Sequence, residues 1–456
     1  MLEPPPSRLS VGRGTAIFLH GRCIDPGGRI GALSVEAEEV GEVIPPRRAG
    51  EEWWATVPIG AITGPATLNL RLRAELHAGG EVAAHLGLVE LDPGLPGPRV
   101  RPAHPPWPGG AEYRVAICMG TFNPPPELFA RQVSSIRDQT HEQWVCVISD
   151  DGSSPESLEA ISRILDGDHR FVLVPSKERL GFYGNFERAL MLAPDDATHI
   201  ALCDQDDRWH PEKLETLLAS LGEAETLAYS DMRIVTPGGE LLSESYWRHR
   251  RNNWTDLATL LIGNTITGAA SLFRRSLLDY VLPFPPRVGD AYHDHWLALV
   301  ALASGPVRYV DRPLHDYVQH PDAVIGFASA NADRPAGSRL ASLPMRARRL
   351  AGRLARPEGR RRYFDDYCRI AHAATVLELR CGGLMSAEKR AAVARVRELD
   401  DSLRPAARLA LRSLGPGNET MGVDRSVVAA LGWSRLARRR SAQRARLPRS
   451  SRPPRS

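Results

Sequence analysis

The stretch HIALCDQDDRWHPEKLETLL, residues 199–218, predicts one strand–loop–helix unit. Its first five residues form an apolar run of strand length, and acidic residues follow directly. Pro211 is a good first-turn residue for a helix, and the leucines beyond it recur at helical spacing, namely Leu214, Leu217, Leu218 and Leu221. This arrangement is typical of α/β proteins, in which ligands bind at the carboxyl ends of the strands.

Strand-like and helix-like segments alternate on both sides of this unit, between residues 112 and 326. The other strand runs are RVAICM (114–119), WVCVIS (144–149), RFVLVP (170–175) and LAYSD (227–231). Helical spacing appears in two further sets of apolar residues, which are Phe129, Val133 and Ile136, and then Leu158, Ile161 and Leu165. Because β and α units alternate, we predict a mainly parallel sheet with helices on both faces.

Residues 1–110 are predicted to form an all-β accessory domain. Short runs such as WWATVPI (53–59) and ATLNLRLRAEL (66–76) are separated by turn residues, as in a small β-sandwich. The segment 92–110 is dense in Pro and Gly and predicts a linker. The α/β domain then covers residues 111–326, and the helix-prone residues 327–430 form a C-terminal helical region.

The end of the chain is strongly basic. Residues 431–456 carry nine Arg and no acidic residue, whereas the remaining chain has five more acidic than basic residues. This composition predicts a disordered tail, which either contacts the anionic inner face of the cytoplasmic membrane or is simply solvated. No apolar run reaches the roughly 20 residues of a membrane span, and MLEPPPSRLS lacks signal-peptide features. We therefore predict a cytoplasmic protein, peripheral to the membrane at most.

Three acidic clusters stand where a ligand site is expected. Asp204 and Asp206 follow the strand at 199–203, so both carboxylates can face one cation. Oxygen ligands of this kind suit Mg²⁺ or Mn²⁺, which bridge carboxylates to substrate phosphates. The alternative is acidic capping of the helix that begins at Pro211, a role that suits Asp207. Three aspartates around one turn repel each other unless a cation is bound, which favours the metal site.

The other two clusters are weaker signals on their own. Asp150-Asp151-Gly152-Ser153 makes a good turn in any protein, but a strand-end carboxylate also accepts hydrogen bonds from a nucleobase or ribose. Asp294 opens a helix predicted at 293–303 and is either a general base or a helix N-cap. Zinc binding by His293 and His295 is disfavoured because residues i and i+2 of a helix point about 200° apart.

Together these motifs resemble family 2 of the inverting glycosyltransferases, and in particular bacterial rhamnosyltransferase-like members. The resemblance runs from about Tyr113 to Gly326. It rests on the order of many motifs, which are VAICMGTFN, SIRDQT, WVCVISDDGS, LGFYGNFERAL, ALCDQDDRWHPEKL, NTITGAASLF, YHDHWLALVALASG and YVQHPDAVIG. It implies the GT-A fold, a Rossmann-like mixed sheet with helices on both faces. The β-sandwich would precede this fold and the C-terminal helical region would follow it.

The resemblance also implies a nucleotide-binding role for several residues. Thr121 and Asn123 match the loop that touches the nucleotide, and Asp150 and Asp151 match the acids that bind the base and ribose. Arg179 replaces the Asn that is common before Leu-Gly in the family. It either contacts the donor or is merely exposed.

The remaining matches concern the metal and the chemistry. Asp204 and Asp206 match the DxD motif, which holds the metal and the donor diphosphate, and Asp294 matches the catalytic base. His320 matches a His that closes over the metal and diphosphate. The family's YRQH is YVQH here, so Val318 removes a cation that would help to hold the diphosphate.

We therefore predict an inverting glycosyltransferase that uses Mg²⁺ or Mn²⁺. It would move a hexose or deoxyhexose from a nucleotide-diphosphate sugar to a hydroxyl of a glycan or lipid-linked glycan, in bacterial polysaccharide synthesis. One rival is a nucleotidyltransferase, disfavoured because no Gly-rich triphosphate loop follows the first strand of the α/β domain. The other is a catalytically decayed glycan-binding scaffold, disfavoured by the intact Asp204, Asp206 and Asp294. No nucleic-acid partner is expected, since the body has no recognised binding motif.

Overall fold

Two β-sheets form the N-terminal part of the protein. The computed structural model describes residues 1–95, 102–107, 112–247, 252–320, 357–413, 420 and 422–446. The first strands are β1 Arg8–Ser10, β2 Gly14–Arg22, β3 Ile30–Ala37, β4 Glu42–Ile44, β5 Arg47–Ala49, β6 Glu52–Gly60, β7 Ala66–Leu76 and β8 Glu81–Asp92. One sheet has the order β1-β8-β7-β3-β4 and the other β2-β6-β5. Alternate residues such as Leu19, Val57 and Leu70 fill the space between the sheets, so the predicted β-sandwich is confirmed.

A second, larger sheet lies at the centre of the molecule. Its strands are β9 Val115–Thr121, β10 Trp144–Asp150, β11 Phe171–Pro175, β12 His199–Cys203, β13 Arg208–Trp209, β14 Leu227–Val235, β15 Leu241–Ser243, β16 Ser271–Arg274 and β17 Val307–Val318. The order is β11-β10-β9-β12-β16-β14-β17-β13, with β15 paired to β14. Strands β11, β10, β9 and β12 are parallel, as predicted, whereas β16 and β13 run antiparallel to their neighbours. The sheet is therefore mixed.

Helices cover both faces of this sheet, which confirms the predicted α/β fold class. They are α1 Pro126–Arg137, α2 Pro155–Leu165, α3 Gly181–Leu192, α4 Lys213–Ser220, α5 Leu257–Ile262, α6 Leu278–Val281 and α7 His293–Ser304. Residues of α1, α2 and α4 share one hydrophobic core, and those of α3, α5 and α7 share another. The Ser154 hydroxyl accepts a hydrogen bond from the Ser157 N–H at 3.2 Å, as expected for the N-cap of α2.

The C-terminal part is helical, as predicted. Its elements are α8 Pro357–Arg362, a π-helical turn Tyr363–Cys368, α9 Arg369–Cys381, α10 Ala387–Arg397, α11 Leu403–Ser413 and α12 Val423–Arg446. Among the described residues, no helix is long and apolar enough to cross a membrane.

The prediction of a disordered tail from residue 431 is wrong up to Arg446, which lies in α12. Val427, Ala430, Leu431 and Ser434 are buried, and their spacing of three to four residues is that of one helix face. Trp433 lies 5.3 Å from the ring of Tyr363. The abundance of arginine concealed this short buried stripe. Residues 447–456 lie outside the described part of the chain.

A buried carboxylate ties three parts of the chain together through α12. The fully buried side chain of Asp400 pairs with Arg47 of β5 at 3.1 Å and with Arg438 of α12 at 2.8 Å. The Tyr363 hydroxyl donates to it at 2.7 Å and the Ser434 hydroxyl at 3.1 Å. The β-sandwich is thus joined to the C-terminal helices by charge-assisted hydrogen bonds.

We expect Arg438→Gln to lower the free energy of unfolding by about 1–3 kcal/mol, because it removes a charged partner from a buried carboxylate. Chemical denaturation followed by circular dichroism measures this. The matched control is Arg439→Gln, the next residue of α12, which is exposed and should change stability by less than about 0.5 kcal/mol. Equal stability of the two variants would show that Arg438 contributes nothing through Asp400.

Candidate active site

Three acidic side chains from distant parts of the sequence converge beyond the carboxyl end of β12. Burial, together with the nearby carboxylates of Asp206 and Asp294, raises the pKa of Asp204 to about 7. An electrostatic effect of this kind requires the groups to be close. The strand-end acids and the acid that opens α7 therefore share one site.

Strand β17 brings His320 to this site. Arg208 and Trp209 of β13 pair with Asp316 and His315 of β17. This pairing fixes the end of β17 beside residues 204–207, the acidic loop. Two residues beyond the strand, the His320 Nε2 atom lies 2.9 Å from Asp206 Oδ2.

Asp207 faces inward and holds this loop to β17. Its Oδ1 atom accepts a hydrogen bond from the Val318 N–H at 3.1 Å, and its side chain is fully buried. The helix-capping role considered from the sequence is wrong, because α4 begins at Lys213 with no side-chain cap. Burial raises the pKa of Asp207 well above its usual value, and the charges of Asp204 and Asp206 add to this.

Lys213 is a site residue that the sequence analysis did not single out. It is fully buried, donates to the Ala269 carbonyl at 2.5 Å and lies 3.7 Å from the centre of the Trp209 ring. Burial lowers its pKa to about 7. It is the nearby cation that offsets part of the acidic charge, lowering the pKa of both Asp204 and Asp207. Only three of the 58 basic residues in the chain are Lys. The rarity of this residue type is the one feature of the sequence that could have drawn attention to Lys213.

Asp294 is the second residue of α7, so it is not the N-cap, a position that Tyr292 occupies. Its Oδ1 atom accepts from the His295 N–H at 2.6 Å and its Oδ2 atom from the Gly268 N–H at 3.4 Å. Burial raises the pKa of Asp294 to about 6, although these hydrogen bonds and one from Asn264 oppose the rise. A carboxylate with this pKa can accept a proton near neutral pH.

Gly268 is needed for the close approach of its loop to Asp294. A Cβ atom at position 268 would lie 3.0 Å from the Asp294 Cβ and 3.2 Å from the His293 Nε2 atom. A side chain at this position would therefore crowd Asp294 and His293.

The pKa of Asp294 predicts a pH dependence. A general base acts in its deprotonated form, so we expect kcat/KM to rise with pH through about 6 and to reach a plateau above 7. Initial rates between pH 5 and 8.5 at saturating metal measure this, with donor affinity followed over the same range as a control. A rate that is independent of pH below 6 would contradict the assignment.

The histidines that flank Asp294 face different neighbours and do not form a shared metal site. The His293 ring stacks on Phe186 with centroids 3.8 Å apart, whereas His295 Nε2 lies 2.6 Å from the Leu260 carbonyl. Burial lowers the pKa of both histidines to about 3. Both are therefore neutral and structural.

The C-terminal helices hold α7 near both of its ends. Arg369 of α9 lies 3.3 Å from His295 Nδ1, next to Asp294. Lys389 of α10 donates to the carbonyl oxygens of Leu302 and Gly305 at the other end of the helix, at 2.5 and 3.2 Å. The C-terminal region therefore supports the helix that carries Asp294.

The loops after β9 and β10 form the second half of the site. Asp150 is fully buried and accepts hydrogen bonds from the Thr121 hydroxyl at 2.9 Å and from the Ser153 hydroxyl at 2.6 Å. Asn123 has a positive φ of 41°, and its side-chain oxygen accepts from the Ser154 N–H at 2.9 Å. Thr121, Asn123 and Asp150 thus brace one another, and their nucleotide-binding role stays a prediction.

Asp151 and Arg179 lie beside these loops. The two oxygens of Asp151 accept from the N–H groups of Leu180 and Gly181, at 2.5 and 2.9 Å, which secures the start of α3. The Arg179 guanidinium packs 3.7 Å from the centre of the Phe122 ring, and 65% of its side chain is exposed. Its Nε atom also lies 4.0 Å from Asp151 Oδ2, and both roles considered from the sequence stay open.

Gln205 joins the two halves of the site. Its Oε1 atom accepts from the Phe122 N–H at 2.8 Å. The residue between the two acids of the DxD motif thus holds the loop that follows β9. Gln205 was not predicted as a site residue, because nothing in the neighbouring sequence indicates this contact.

The donor set is compatible with a divalent cation. No group of three or more His, Cys, Asp or Glu side chains in the described part of the chain is arranged to hold a metal. However, Mg²⁺ commonly takes one or two protein carboxylates and fills its remaining positions with substrate phosphates and water. Asp206 offers one such carboxylate and His320 an imidazole nitrogen beside it. Asp204, whose pKa is raised by burial and then by the charges of Asp206 and Asp294, lies close by. Tyr317, also missed from the sequence, faces the same acids, whose charges together with burial raise its pKa.

The mixed sheet with helices on both faces defines an α/β protein. Its acidic residues lie beyond the carboxyl ends of the parallel strands, and this edge of the sheet is therefore the candidate ligand site. Residues 116–282 match the sequence model of Glycosyl transferase family 2. The sequence of this part of the chain is therefore similar to Glycosyl transferase family 2 domains. The match includes Asp150, Asp204 and Asp206, and it ends before Asp294 and His320.

Several curated proteins are similar to parts of the chain. The bifunctional glycosyltransferase pgtA of Dictyostelium discoideum is 32% identical over 97 residues, which are 21% of this chain and 13% of that protein. The uncharacterized glycosyltransferase alr2836 of Nostoc sp. is 22% identical over 233 residues, which are 49% of this chain and 71% of that protein. The chain thus spans only a small part of pgtA.

Solved structures give weaker likenesses. The S. aureus TarS 1–349 complex with UDP-GlcNAc has a TM-score of 0.41 at 15% identity, covering 72% of this chain and 92% of that one. The mannosyltransferase PcManGT of Pyrobaculum calidifontis, in complex with GDP-Man and Mn²⁺, has a TM-score of 0.37 at 17% identity, with coverages of 74% and 90%. TM-scores below 0.5 do not by themselves establish a shared fold.

Proposed function

We propose that this protein is an inverting glycosyltransferase that moves a hexose or deoxyhexose from a nucleotide-diphosphate sugar to a hydroxyl of a glycan or lipid-linked glycan. The observation that supports this most strongly is the convergence of Asp294 with Asp204 and Asp206, in a chain whose residues 116–282 match the model of Glycosyl transferase family 2. Such a site can accept a proton on one side of a sugar while a diphosphate leaves from the other. The rhamnosyltransferase-like specificity and a role in bacterial polysaccharide synthesis belong to the same proposal.

Asp294 acts as the general base in this proposal. Its carboxylate takes the proton of the acceptor hydroxyl as the hydroxyl oxygen bonds to the anomeric carbon of the donor. The bond between that carbon and the diphosphate oxygen breaks in the same step, with inversion of configuration. The raised pKa of Asp294 favours the transfer, because a more basic carboxylate takes the proton more readily.

The remaining residues bind and orient the donor. Asp204, Asp206 and His320 would hold Mg²⁺ or Mn²⁺, which when bound supplies positive charge to the leaving diphosphate. Thr121, Asn123, Asp150 and Asp151 would place the base and ribose, and Arg179 would reach the donor from the rim. Hydrogen bonds already fix the loops that carry Thr121, Asn123, Asp150 and Asp151. Little conformational entropy is therefore lost when the nucleotide binds.

The released product tests this proposal. A panel of nucleotide-diphosphate sugars, incubated with Mn²⁺ and a pool of glycan acceptors, should yield free nucleoside diphosphate together with glycosylated acceptor. Release of pyrophosphate from nucleoside triphosphates would instead show the nucleotidyltransferase. Glycan binding without any release would show the decayed scaffold.

A lipid-linked acceptor requires the enzyme to reach a membrane surface. We propose the Arg-rich C-terminal end, residues 431–456, as a peripheral contact with anionic lipid, which places the protein in the cytoplasm at the inner face of the membrane. Arg435 and Arg438 are engaged within the fold, since both donate to backbone carbonyl oxygens near Asp400. We therefore assign the contact with anionic lipid to the arginines that follow Arg438, beginning with the exposed Arg439.

We expect a chain that ends at Arg446 to bind anionic vesicles more weakly than the full chain. The deletion removes three Arg, each worth roughly 1 kcal/mol near an anionic surface, and it keeps the packed helix α12. Co-sedimentation with phosphatidylglycerol vesicles measures this, with phosphatidylcholine vesicles as the control. The difference should shrink as salt rises. Equal binding of both chains at low salt would exclude these arginines from the contact.

A further inference from the structure

A cavity of about 140 Å³ lies beside the acidic site, on the other face of strand β17. Asp316 and Val318 line this cavity, whereas Tyr317 between them lies near the acidic residues. Because successive side chains of a strand point to opposite faces, the strand separates the two sites. This volume holds several water molecules and therefore has room for a group as small as a phosphate.

Three arginines from different elements line this cavity. They are Arg131 of α1, Arg208 of β13 and Arg233 of β14. The carboxylate in the lining, Asp316, is already paired, with Arg233 at 2.7 Å and with His210 at 3.0 Å. Positive charge therefore exceeds negative charge at this position.

Arg131 has unused hydrogen-bonding capacity here. One of its terminal nitrogens donates to the Pro237 carbonyl at 3.0 Å. Its Nε and other terminal nitrogen are buried and have no hydrogen-bond partner among the described residues. Leaving buried donors without partners is costly, and a small rotation of the Arg131 side chain toward the cavity would let an anion with two oxygens accept from both.

The rest of the lining is apolar and compact. Val235, Leu241 and Val318 form part of the wall, and Gly239 lies in the turn between β14 and β15 with a positive φ of 88°. Val318 also packs against Leu128 and Val235 in a small hydrophobic cluster. The site thus combines a few charged groups with an apolar wall, as small-molecule sites usually do.

We propose that this cavity binds a phosphate or carboxylate group, held by Arg131, Arg208 and Arg233. The group belongs either to a free anionic metabolite or to the acceptor. Binding to the cavity is measured directly and is independent of transfer activity, whereas the distinction between the two sources rests on the proposed function. It assigns the cavity a ligand separate from the donor diphosphate, which would meet Asp206 and His320 on the other face of β17.

The test uses inorganic phosphate as the probe, titrated in metal-free buffer of low ionic strength and followed by thermal shift. We expect a saturable rise in melting temperature for the wild type. Arg131→Gln and Arg208→Gln should each raise the half-saturating concentration about tenfold. Arg208 is exposed, so its substitution leaves the folded core intact. The control is Arg163→Gln on α2, whose side chain is 71% exposed and pairs with Glu159.

A second measurement separates the two sources of the anion. If the ligand is a free regulator, phosphate should change the rate of donor hydrolysis by the wild type but not by Arg131→Gln. If the group belongs to the acceptor, phosphate should bind without changing that rate. Either result supports the site. A wild type that does not respond to phosphate would overturn it, as would equal responses of Arg131→Gln, Arg208→Gln and Arg163→Gln.

Discussion

Asp294→Asn is expected to reduce sugar transfer by about 10²–10⁴-fold, the usual contribution of a positioned general base. The substitution keeps the size of the side chain and its hydrogen bond from the His295 N–H, but it removes the basic oxygen. Initial rates of nucleoside diphosphate release in the presence of acceptor measure this effect. The pH dependence near 6 should disappear in the variant, because the titrating group is gone.

Measuring the affinity for the donor nucleotide distinguishes a loss of catalysis in Asp294→Asn from a disrupted binding site. Calorimetry with nucleoside diphosphate and Mn²⁺ should give an affinity close to that of the wild type. The matched control is Asp290→Asn, an exposed carboxylate four residues earlier, which should leave the rate unchanged. A collapse of donor affinity in Asp294→Asn would mean that Asp294 is a metal ligand or a structural residue.

Asp206→Ala is the second variant with a large expected effect, a loss of about 10²–10³-fold in kcat. Asp206 lies 2.9 Å from His320, so the substitution removes one of the proposed metal ligands. It also leaves the other ligand, His320, without this partner. Treatment with EDTA should abolish transfer by the wild type, and Mg²⁺ or Mn²⁺ should restore it. These rates are measured at saturating donor, so that weak binding does not mask the effect on kcat.

The fold should survive this substitution. Asp206 is only partly buried, and its removal relieves the repulsion that contributes to the raised pKa of Asp204. We therefore expect an unchanged or slightly higher melting temperature. Asp138→Ala, an exposed acid at the end of α1, serves as the control and should keep full activity. Full activity of the wild type in chelator would refute the metal-dependent mechanism.

Local sequence patterns predicted the elements that carry the first acids. Helices α1 and α2 follow from apolar spacing and, for α2, from its Ser-Pro start, and both were found close to the predicted residues. Strand β12 and the acids after it follow from an apolar run with a polar end. These features depend on neighbours a few residues away, so one sequence is enough to read them.

Other elements could not be read in this way. Strand β17, VRYVDRPLHDYV, mixes charged residues and a proline with apolar ones, and its pairing with β14 shifts register near Asp231. Helix α12 carries its buried residues within an arginine-rich stretch whose composition suggested disorder. In both cases, contacts with distant segments outweigh the local preference.

The sequence by itself determined that an α/β sheet would place Asp150, Asp204 and Asp206 at the carboxyl ends of its strands. The tertiary structure alone decided which acids share a site and which serve the fold. Asp207 has the same local chemistry as Asp206, yet it binds the Val318 N–H while Asp206 contacts His320. The physical reason is that these two pairings join residues 111 and 114 positions apart in the chain, and that Asp204 lies 90 positions before Asp294, whose charge acts on it, so no local pattern records these contacts.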